Sequence, residues 1–323
     1  MKTNGSAGWS GSFALCFLVV AQCVYAQETN DGGAGLKMQF ALSAATQEND
    51  AQARADKAQT VLEKLFESGI EALSLKDYQT AFKALHNASL QGYAKAQSAL
   101  AGMYLKGTGL TVDNVEAVKW YRKAAEQGEA GGQAGLGLMY AEGLGVELDN
   151  QLAVHWLRRA ADQGDALAQS HLGSMYQDGR GVDSDESQAA GWFRLAALQG
   201  ELSAQNNLAT AFRDGRGVEV DEVEAAWWFR EAAEHGSIDA QASLGLMYRE
   251  GQGVHQDDIL AVQLFRQSAE QNNALAQYYL GLSYMEGRGL EPDVIAGRQW
   301  LEKAAQQGVS EAQDYLSTGA DAE

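Results

Sequence analysis

The sequence predicts an all-α protein built as a solenoid of αα-hairpin repeats, and three observations indicate this fold class. A Gly-x-Gly tripeptide begins at Gly107 and recurs every 36 residues, which is typical of an internal repeat. The 323 residues contain a single proline, so long helices are not interrupted. Within each interval, apolar residues follow the spacing of two amphipathic helices. We therefore expect six 36-residue repeats over residues 94–309.

Residues 1–26 have the layout of a cleaved secretory signal peptide. Lys2 gives a weakly positive start, the apolar run FALCFLVV fills residues 13–20, and Ala26 precedes the expected cleavage site. This run is shorter than the ~20 residues that span a bilayer. We expect an exported protein, periplasmic or secreted, with no membrane span in the mature chain. The alternatives are an uncleaved membrane anchor and a lipid attached to Cys23.

Segments with a different composition flank the repeats. Residues 27–56 are polar and contain glycines, which predicts a flexible spacer. Residues 57–92 are typical of a degenerate helical hairpin that caps the array at its N-terminal end. Residues 310–323 begin another helix and are expected to form a C-terminal cap and tail.

Each repeat is predicted to contain two helices joined by a short loop. In the first repeat, Leu100 and Met103 belong to one apolar stripe, and Gly107 ends the helix because glycine adopts a positive φ without steric cost. Asp113 is placed to accept hydrogen bonds from the first turn of the second helix. An aspartate recurs at this position in all six repeats: Asp113, Asp149, Asp185, Asp221, Asp257 and Asp293.

Two other recurring residues have a predicted role in stacking. Tryptophans occupy one position of the second helix, and we expect them in the core rather than against a ligand; they are Trp120, Trp156, Trp192, Trp228 and Trp300. Glutamines occupy one position of the first helix: Gln97, Gln133, Gln169, Gln205, Gln241, Gln277 and, in the cap, Gln313. A half-buried amide there could bond a neighbouring loop carbonyl or face a partner.

These units resemble the Sel-1-like repeat, a longer relative of the tetratricopeptide repeat. The segments AQASLGLMYREGQGV at 240–254 and DNVEAVKWYRKAAEQG at 113–128 carry the resemblance. Two residues depart from the pattern: Asn272 stands where other repeats have a helix-ending glycine, and Gly297 replaces an alanine. The resemblance implies a right-handed αα superhelix that holds partners together, and it implies no reaction.

Composition and motifs exclude several classes of function. The chain has 24 basic and 43 acidic residues and a net charge of −19, which opposes binding to nucleic acid. Both cysteines, Cys16 and Cys23, lie in the signal segment, so the mature chain would have no thiol. The five histidines occupy unrelated positions, and neither GxSxG nor SxxK occurs, although some members of the family have been labelled β-lactamases. We expect no catalytic residue, no metal site and no cofactor.

The candidate binding surface is the variable stripe of the first helices, which would line the concave side. A solvated face is the alternative. The stripe is polar in repeats three and four and becomes apolar in repeats five and six. Its residues are Ser170, Ser174, Gln177, Asn206, Thr210, Arg213, Leu246, Arg249, Tyr278, Leu282 and Met285. We expect an exported, non-enzymatic adaptor that binds another protein or a peptide segment; binding of cell-wall glycan is the second hypothesis and hydrolysis a distant third.

Overall fold

The computed structural model describes residues 32–319, with side chains placed for residues 43–318. These residues form fifteen helices and no strand. In chain order the helices are α1 (Gly32–Ser74), α2 (Tyr78–Leu90), α3 (Ala94–Lys106), α4 (Asn114–Glu126), α5 (Ala130–Glu142), α6 (Asn150–Ala161), α7 (Ala166–Asp178), α8 (Glu186–Ala197), α9 (Leu202–Asp214), α10 (Glu222–Glu234), α11 (Ile238–Glu250), α12 (Asp258–Glu270), α13 (Ala274–Glu286), α14 (Val294–Gln306) and α15 (Ser310–Gly319). Nowhere in residues 32–319 is a helix both long and apolar enough to span a bilayer. The predicted signal peptide, residues 1–26, lies outside the described residues.

The array alternates two sets of helices. The first helices of the six repeats are α3, α5, α7, α9, α11 and α13, and the second helices are α4, α6, α8, α10, α12 and α14. Each first helix packs against the second helix of its own repeat and, from α5 onward, against that of the preceding repeat, while α3 packs against α2 of the N-terminal cap. This is the connectivity of a solenoid, and the predicted all-α repeat fold is confirmed.

The helix ends follow the predicted signals. Gly107 closes α3 in the left-handed conformation at φ 65°, and Asp113 accepts a 2.9 Å hydrogen bond from the Glu116 amide to open α4. The second glycine of each loop is needed for a different reason. A Cβ on Gly181 would lie 2.2 Å from the carbonyl oxygen of Asn150 in the preceding repeat, so the loop packs directly on that repeat.

The core lies between the two sets of helices, and it corrects the expectation for tryptophan. Trp120 and Trp228 are buried, but Trp156, Trp192 and Trp300 are only half-buried. In four repeats the residue after the tryptophan is the more deeply buried one: Leu157, Phe193, Phe229 and Leu301 are at most 2% exposed. In the first repeat Trp120 and Tyr121 are about equally buried, at 7% and 8% exposure. Tryptophan lies at the edge of this layer, where a cationic side chain covers it, as Lys303 covers the ring of Trp300 at 3.8 Å.

The N-terminal region differs from its prediction. Residues 32–56 belong to α1, a helix of 43 residues, so the expectation of a flexible spacer is wrong from Gly32 onward. Alanine and glutamine make up ten of these 25 residues, and both are good helix formers without any tertiary contact. Farther along α1, Ala72 packs with Leu85 of α2 and Met103 of α3, so residues 57–92 cover the first repeat.

A row of buried glutamines ties successive repeats together. The Gln133 side-chain amide donates to the Ala125 carbonyl at the end of the preceding second helix at 3.3 Å. Its oxygen accepts a 2.7 Å bond from the amide of Gln163 at the end of its own repeat. The amide bonds a neighbouring carbonyl, as predicted, but this carbonyl lies in the last turn of a helix and not in a loop. Gln97 and Gln169 likewise donate to the carbonyls of Ser89 and Ala161, and their oxygens accept from Gln127 and Gln199.

The row is interrupted in repeats four and five. His235 stands where a glutamine would bond the oxygen of Gln205, and that oxygen is buried with no hydrogen-bond partner among the described residues. The oxygen of Gln241 is likewise unpartnered among the described residues, and the Gln271 amide donates only to the Gln267 carbonyl of its own helix at 3.2 Å. Repeat six restores the bond, with Gln307 donating to Gln277 at 2.8 Å.

Candidate binding surface

The first helices form the inner side of the array. First helices of successive repeats contact one another directly, as α3 does with α5 and α11 with α13. Side chains also join them: Arg249 of α11 bonds Glu286 of α13 at 2.7 Å, and Asn273 before α13 bonds Asp239 of α11 at 2.8 Å. Neighbouring first helices converge on one side of the array, and their exposed side chains line that surface. We call it the inner face.

The residues of the predicted stripe are only partly exposed on the inner face. None of its eleven residues is fully exposed, and Ser170, Arg249 and Leu282 are buried at 5%, 7% and 8% exposure. The half-buried ones are Ser174, Gln177, Asn206, Thr210, Arg213, Leu246, Tyr278 and Met285. The expectation of a binding surface is therefore wrong for the three buried side chains.

The apolar end of the stripe is covered by the protein itself. Leu282 packs with Leu301, Ala304 and Ala312, and the last of these belongs to the C-terminal helix α15. Tyr278 and Met285 are partly buried in the same cluster. A terminal repeat has no following neighbour to bury its apolar side chains, so α15 takes that place as a cap.

Arg249 has a structural role as well. Its guanidinium, 9% exposed, forms ion pairs with Glu286 at 2.7 Å and with Glu250 at 3.5 Å, and it lies over the ring of Tyr279. A cation buried to this extent needs such partners to offset its lost hydration. Arg249 therefore links repeats five and six and is not free to bind a ligand.

Two positions that the sequence interpretation left out contribute to the inner face. One follows the first stripe position by a single residue, and it is variable and half-buried: His171, Asn207, Ser243 and Tyr279. The other is the last residue of the first helix, which is exposed and acidic in repeats two to six: Glu142, Asp178, Asp214, Glu250 and Glu286. The acidic row could have been found from its 36-residue spacing.

The acidic row is unfavourable for the helices that carry it. The carboxyl end of a helix bears a partial negative charge, so Asp or Glu in the last turn destabilises it, typically by about 0.3–1 kcal/mol. The first helices of five consecutive repeats nevertheless end this way. Four of these carboxylates form ion pairs with arginines, as Glu286 does with Arg249 at 2.7 Å, so most of the row is used in contacts within the array.

An open pocket lies between repeats three and four, with an empty volume of about 310 Å³ that includes solvent at its mouth. Its lining combines an apolar floor with polar groups at the rim: Gln177, Glu186, Ala189, Ala190, Phe193, Asn207, Thr210, Ala211 and Arg216. Gln177 and Thr210 were among the predicted residues, whereas Glu186 and Arg216 were not.

His171 is a half-buried titratable group of the inner face, and its pKa departs from the ordinary value. Burial lowers the pKa of its imidazole, and the carboxylates of Glu201 and Glu142 only partly offset this effect. No group of histidine, cysteine, aspartate or glutamate side chains within residues 32–319 is arranged to hold a metal ion.

Comparison with known proteins gives a consistent picture. The family model of the Sel1 repeat matches six consecutive segments: residues 94–129, 130–165, 166–201, 202–237, 238–273 and 274–309. These are the repeats predicted from the 36-residue spacing. No curated protein matches the chain.

Two solved structures are similar to the chain. A protective antigen present in uropathogenic Escherichia coli strains, which displays an SLR fold, is 36% identical with a TM-score of 0.68; the match covers 83% of this chain and 58% of that one. A Sel1 repeat protein from Oxalobacter formigenes is 33% identical with a TM-score of 0.67, and the match covers 74% of this chain and 96% of that one. The chain therefore spans little more than half the length of the Escherichia coli protein.

Sel1 repeat proteins are generally non-enzymatic scaffolds for protein–protein interaction. The six matched segments follow one another without a gap over about two thirds of the sequence. Each has a helix pair whose second helix is capped by an aspartate, and each has the same buried glutamine. The chain belongs to the Sel1 repeat family.

Proposed function

We propose that this protein is an exported, non-enzymatic adaptor that binds an extended segment of another protein along its inner face. The observation that carries the proposal is the division between recurring and variable positions. Recurring residues are used inside the array, whereas the residues that change from repeat to repeat face the inner side. A surface that varies on a constant frame is suited to recognition.

The recurring residues support this division because their contacts join repeats. Besides the glutamines, an arginine on a second helix donates to the aromatic hydroxyl of the next first helix, as Arg122 does to Tyr140 at 3.0 Å and Arg230 to Tyr248 at 2.9 Å. These groups are occupied by stacking. Ligand recognition is left to the inner face, and the net charge of −19 favours a partner with positive charge.

Export is supported by residues 1–26 alone. We expect the mature protein to begin at Gln27, to lack cysteine and to reside in the periplasm or outside the cell. Intact mass of the protein purified from cell fractions tests this. A chain that keeps residues 1–26 in the cytoplasm, or carries a lipid on Cys23, would contradict it.

Binding along the inner face is tested with two pairs of lysine substitutions on opposite sides. The inner pair, Gly102→Lys with Ser174→Lys, places two long side chains along the inner face. The outer pair, Gln263→Lys with Gln299→Lys, places two lysines on the second helices α12 and α14, where both residues are exposed. Immobilised variants are compared for the proteins they capture from cell-envelope extract.

We expect the inner pair to lower capture of the partner at least about tenfold, or about 1.4 kcal/mol, while the outer pair has no effect. Circular dichroism first establishes that both variants are folded. Equal capture by the inner and outer pairs would reject the inner face as the binding surface. Retention of soluble cell-wall glycan with no captured protein would favour the glycan hypothesis instead.

A further inference from the structure

Three repeats carry an arginine between the two glycines of the loop that follows the first helix: Arg180, Arg216 and Arg288. Each loop packs on the preceding repeat, so each arginine stands next to the same set of groups there. These are a carbonyl near the end of the preceding first helix and the side chain that begins the preceding second helix. The three equivalent junctions can therefore be compared directly.

At two junctions the arginine is seated on the preceding repeat. Arg180 donates to the Ala141 carbonyl at 2.6 Å and to the Asn150 side-chain oxygen at 3.4 Å. Arg288 donates to the Arg249 carbonyl at 2.5 Å and pairs with the Asp258 carboxylate at 2.8 Å. The guanidinium thus bonds one backbone carbonyl and one side-chain oxygen in both cases.

At the third junction the arginine lines the open pocket but, within the described residues, does not bond the equivalent acceptors. Arg216 pairs at 3.4 Å with Asp214 on its own repeat, and 48% of its side chain is exposed. Asp214 also holds Arg213 at 2.7 Å. The equivalent acceptors are the Gln177 carbonyl and the Glu186 carboxylate, and within residues 32–319 neither bonds to Arg216. The open pocket described above lies at this junction.

The pocket has the chemistry of an arginine site. Phe193, Ala189 and Ala190 provide an apolar floor for an aliphatic stem, and the Glu186 carboxylate provides a counter-charge. The Gln177 carbonyl accepts a 3.1 Å bond from the Ser184 hydroxyl, which leaves its second lone pair for another donor.

We propose that this pocket binds an arginine side chain of the partner segment, which takes the position that Arg180 and Arg288 occupy at the other two junctions. The inference rests on the proposed function and names the chemistry of its partner: an extended, basic peptide. Charge complementarity agrees, because the whole chain carries a net charge of −19. Arg216 is then an internal competitor, held off the two acceptors by Asp214.

The test compares two fluorescent peptide pools of neutral, otherwise random sequence. One pool has a central arginine and the other a central citrulline, which keeps the shape of arginine but not its charge. Fluorescence anisotropy with the mature protein should show the arginine pool binding at least about threefold more tightly, a difference that shrinks with added salt.

Three variants test whether the difference in affinity between the two peptide pools arises at the pocket. Glu186→Gln should abolish the preference for arginine, and Arg216→Ala should increase it because the internal competitor is removed. Glu219→Gln, a change of the same kind on an exposed loop residue, should leave it unchanged. Thermal unfolding establishes that the three variants are folded.

Equal binding of the two pools, or a weaker preference for arginine in Arg216→Ala, would overturn the inference. A preference that survives Glu186→Gln would place the arginine elsewhere and would also overturn it. These outcomes are distinct from failure of the proposed function. If the inner pair of lysine substitutions still blocks capture while the peptide pools bind equally, the adaptor function stands and the arginine pocket does not.

Discussion

Repeats one to three and repeats four to five have the same order of helices and the same aspartate cap on each second helix, but they differ in their buried hydrogen bonds. In the first region every buried glutamine oxygen is bonded, as Gln133 is to Gln163. In the second region the oxygens of Gln205 and Gln241 have no partner within residues 32–319. The apolar core continues through both regions. Packing is therefore sufficient for the fold, and the glutamine bonds add stability unevenly along it.

The largest expected effect tests whether packing is equal in the two regions. Phe193 in repeat three and Phe229 in repeat four are 2% and 0% exposed. Replacing either with alanine should lower the free energy of unfolding by about 3–5 kcal/mol, measured by urea denaturation. Trp192→Ala should cost less, because that ring is half-buried. A much smaller loss for Phe229 than for Phe193 would mean that the regions also differ in packing.

The next largest effect is expected from removing a hydrogen bond between glutamines in the first region. Gln163→Ala removes the donor to the Gln133 oxygen and leaves a buried acceptor unpaired, so unfolding should become easier by about 1–3 kcal/mol. Gln271→Ala is the matched control in repeat five, where the amide bonds only its own helix. The control should lose less than about 0.5 kcal/mol. Similar losses for the two variants would show that the bond between glutamines contributes nothing.

A smaller change, an increase in the free energy of unfolding, is expected from adding the missing glutamine bond in the second region. His235→Gln places an amide beside the Gln205 oxygen, and the new bond should stabilise the protein by about 1 kcal/mol in urea denaturation. The gain should disappear when Gln205 is also replaced with alanine. A gain that persists in the double variant would have another origin, and no gain at all would refute the comparison.

The smallest effect is a pH dependence on the inner face of repeat three. Burial lowers the pKa of His171 below its ordinary value of 6.5, so the unfolded chain binds the proton more readily than the folded one. The stability that neutral His171 contributes is complete above about pH 6.5 and is lost as pH falls toward the folded-state pKa. Thermal unfolding of the wild type and His171→Asn from pH 5 to 7.5 measures it. Parallel curves would contradict the effect.

Local signals in the sequence were sufficient to predict the fold. The 36-residue spacing defines the repeats. The glycine that ends each first helix and the aspartate that caps each second helix act within a few residues of chain, and the structure has both as predicted. The tryptophan position was predicted one residue away from the true centre of the core. A single residue turns a helix face by about 100°, and apolar residues at both positions make the periodicity ambiguous.

The candidate surface was harder to predict because its residues depend on distant parts of the chain. Leu282 is covered by α15, and Arg249 is held by its ion pair with Glu286. Neither contact follows from the position of the residue within its own repeat. The pocket could not be predicted, because it depends on the side-chain conformation of Arg216. Contacts between repeats decide the exposure and the rotamer of these side chains. Such contacts cannot be predicted from the spacing of residues within one repeat.

The second glycine of each loop constrains how this chain can change its length. A Cβ at Gly217 or Gly253 would lie 2.0 Å from a backbone carbonyl of the repeat before it, so every repeat is held in a fixed register against its neighbour. Insertion of a few residues inside a repeat would move that glycine off its contact. Whole units can be duplicated or deleted without disturbing any junction. The length of the inner face can therefore vary across related proteins only in steps of one repeat.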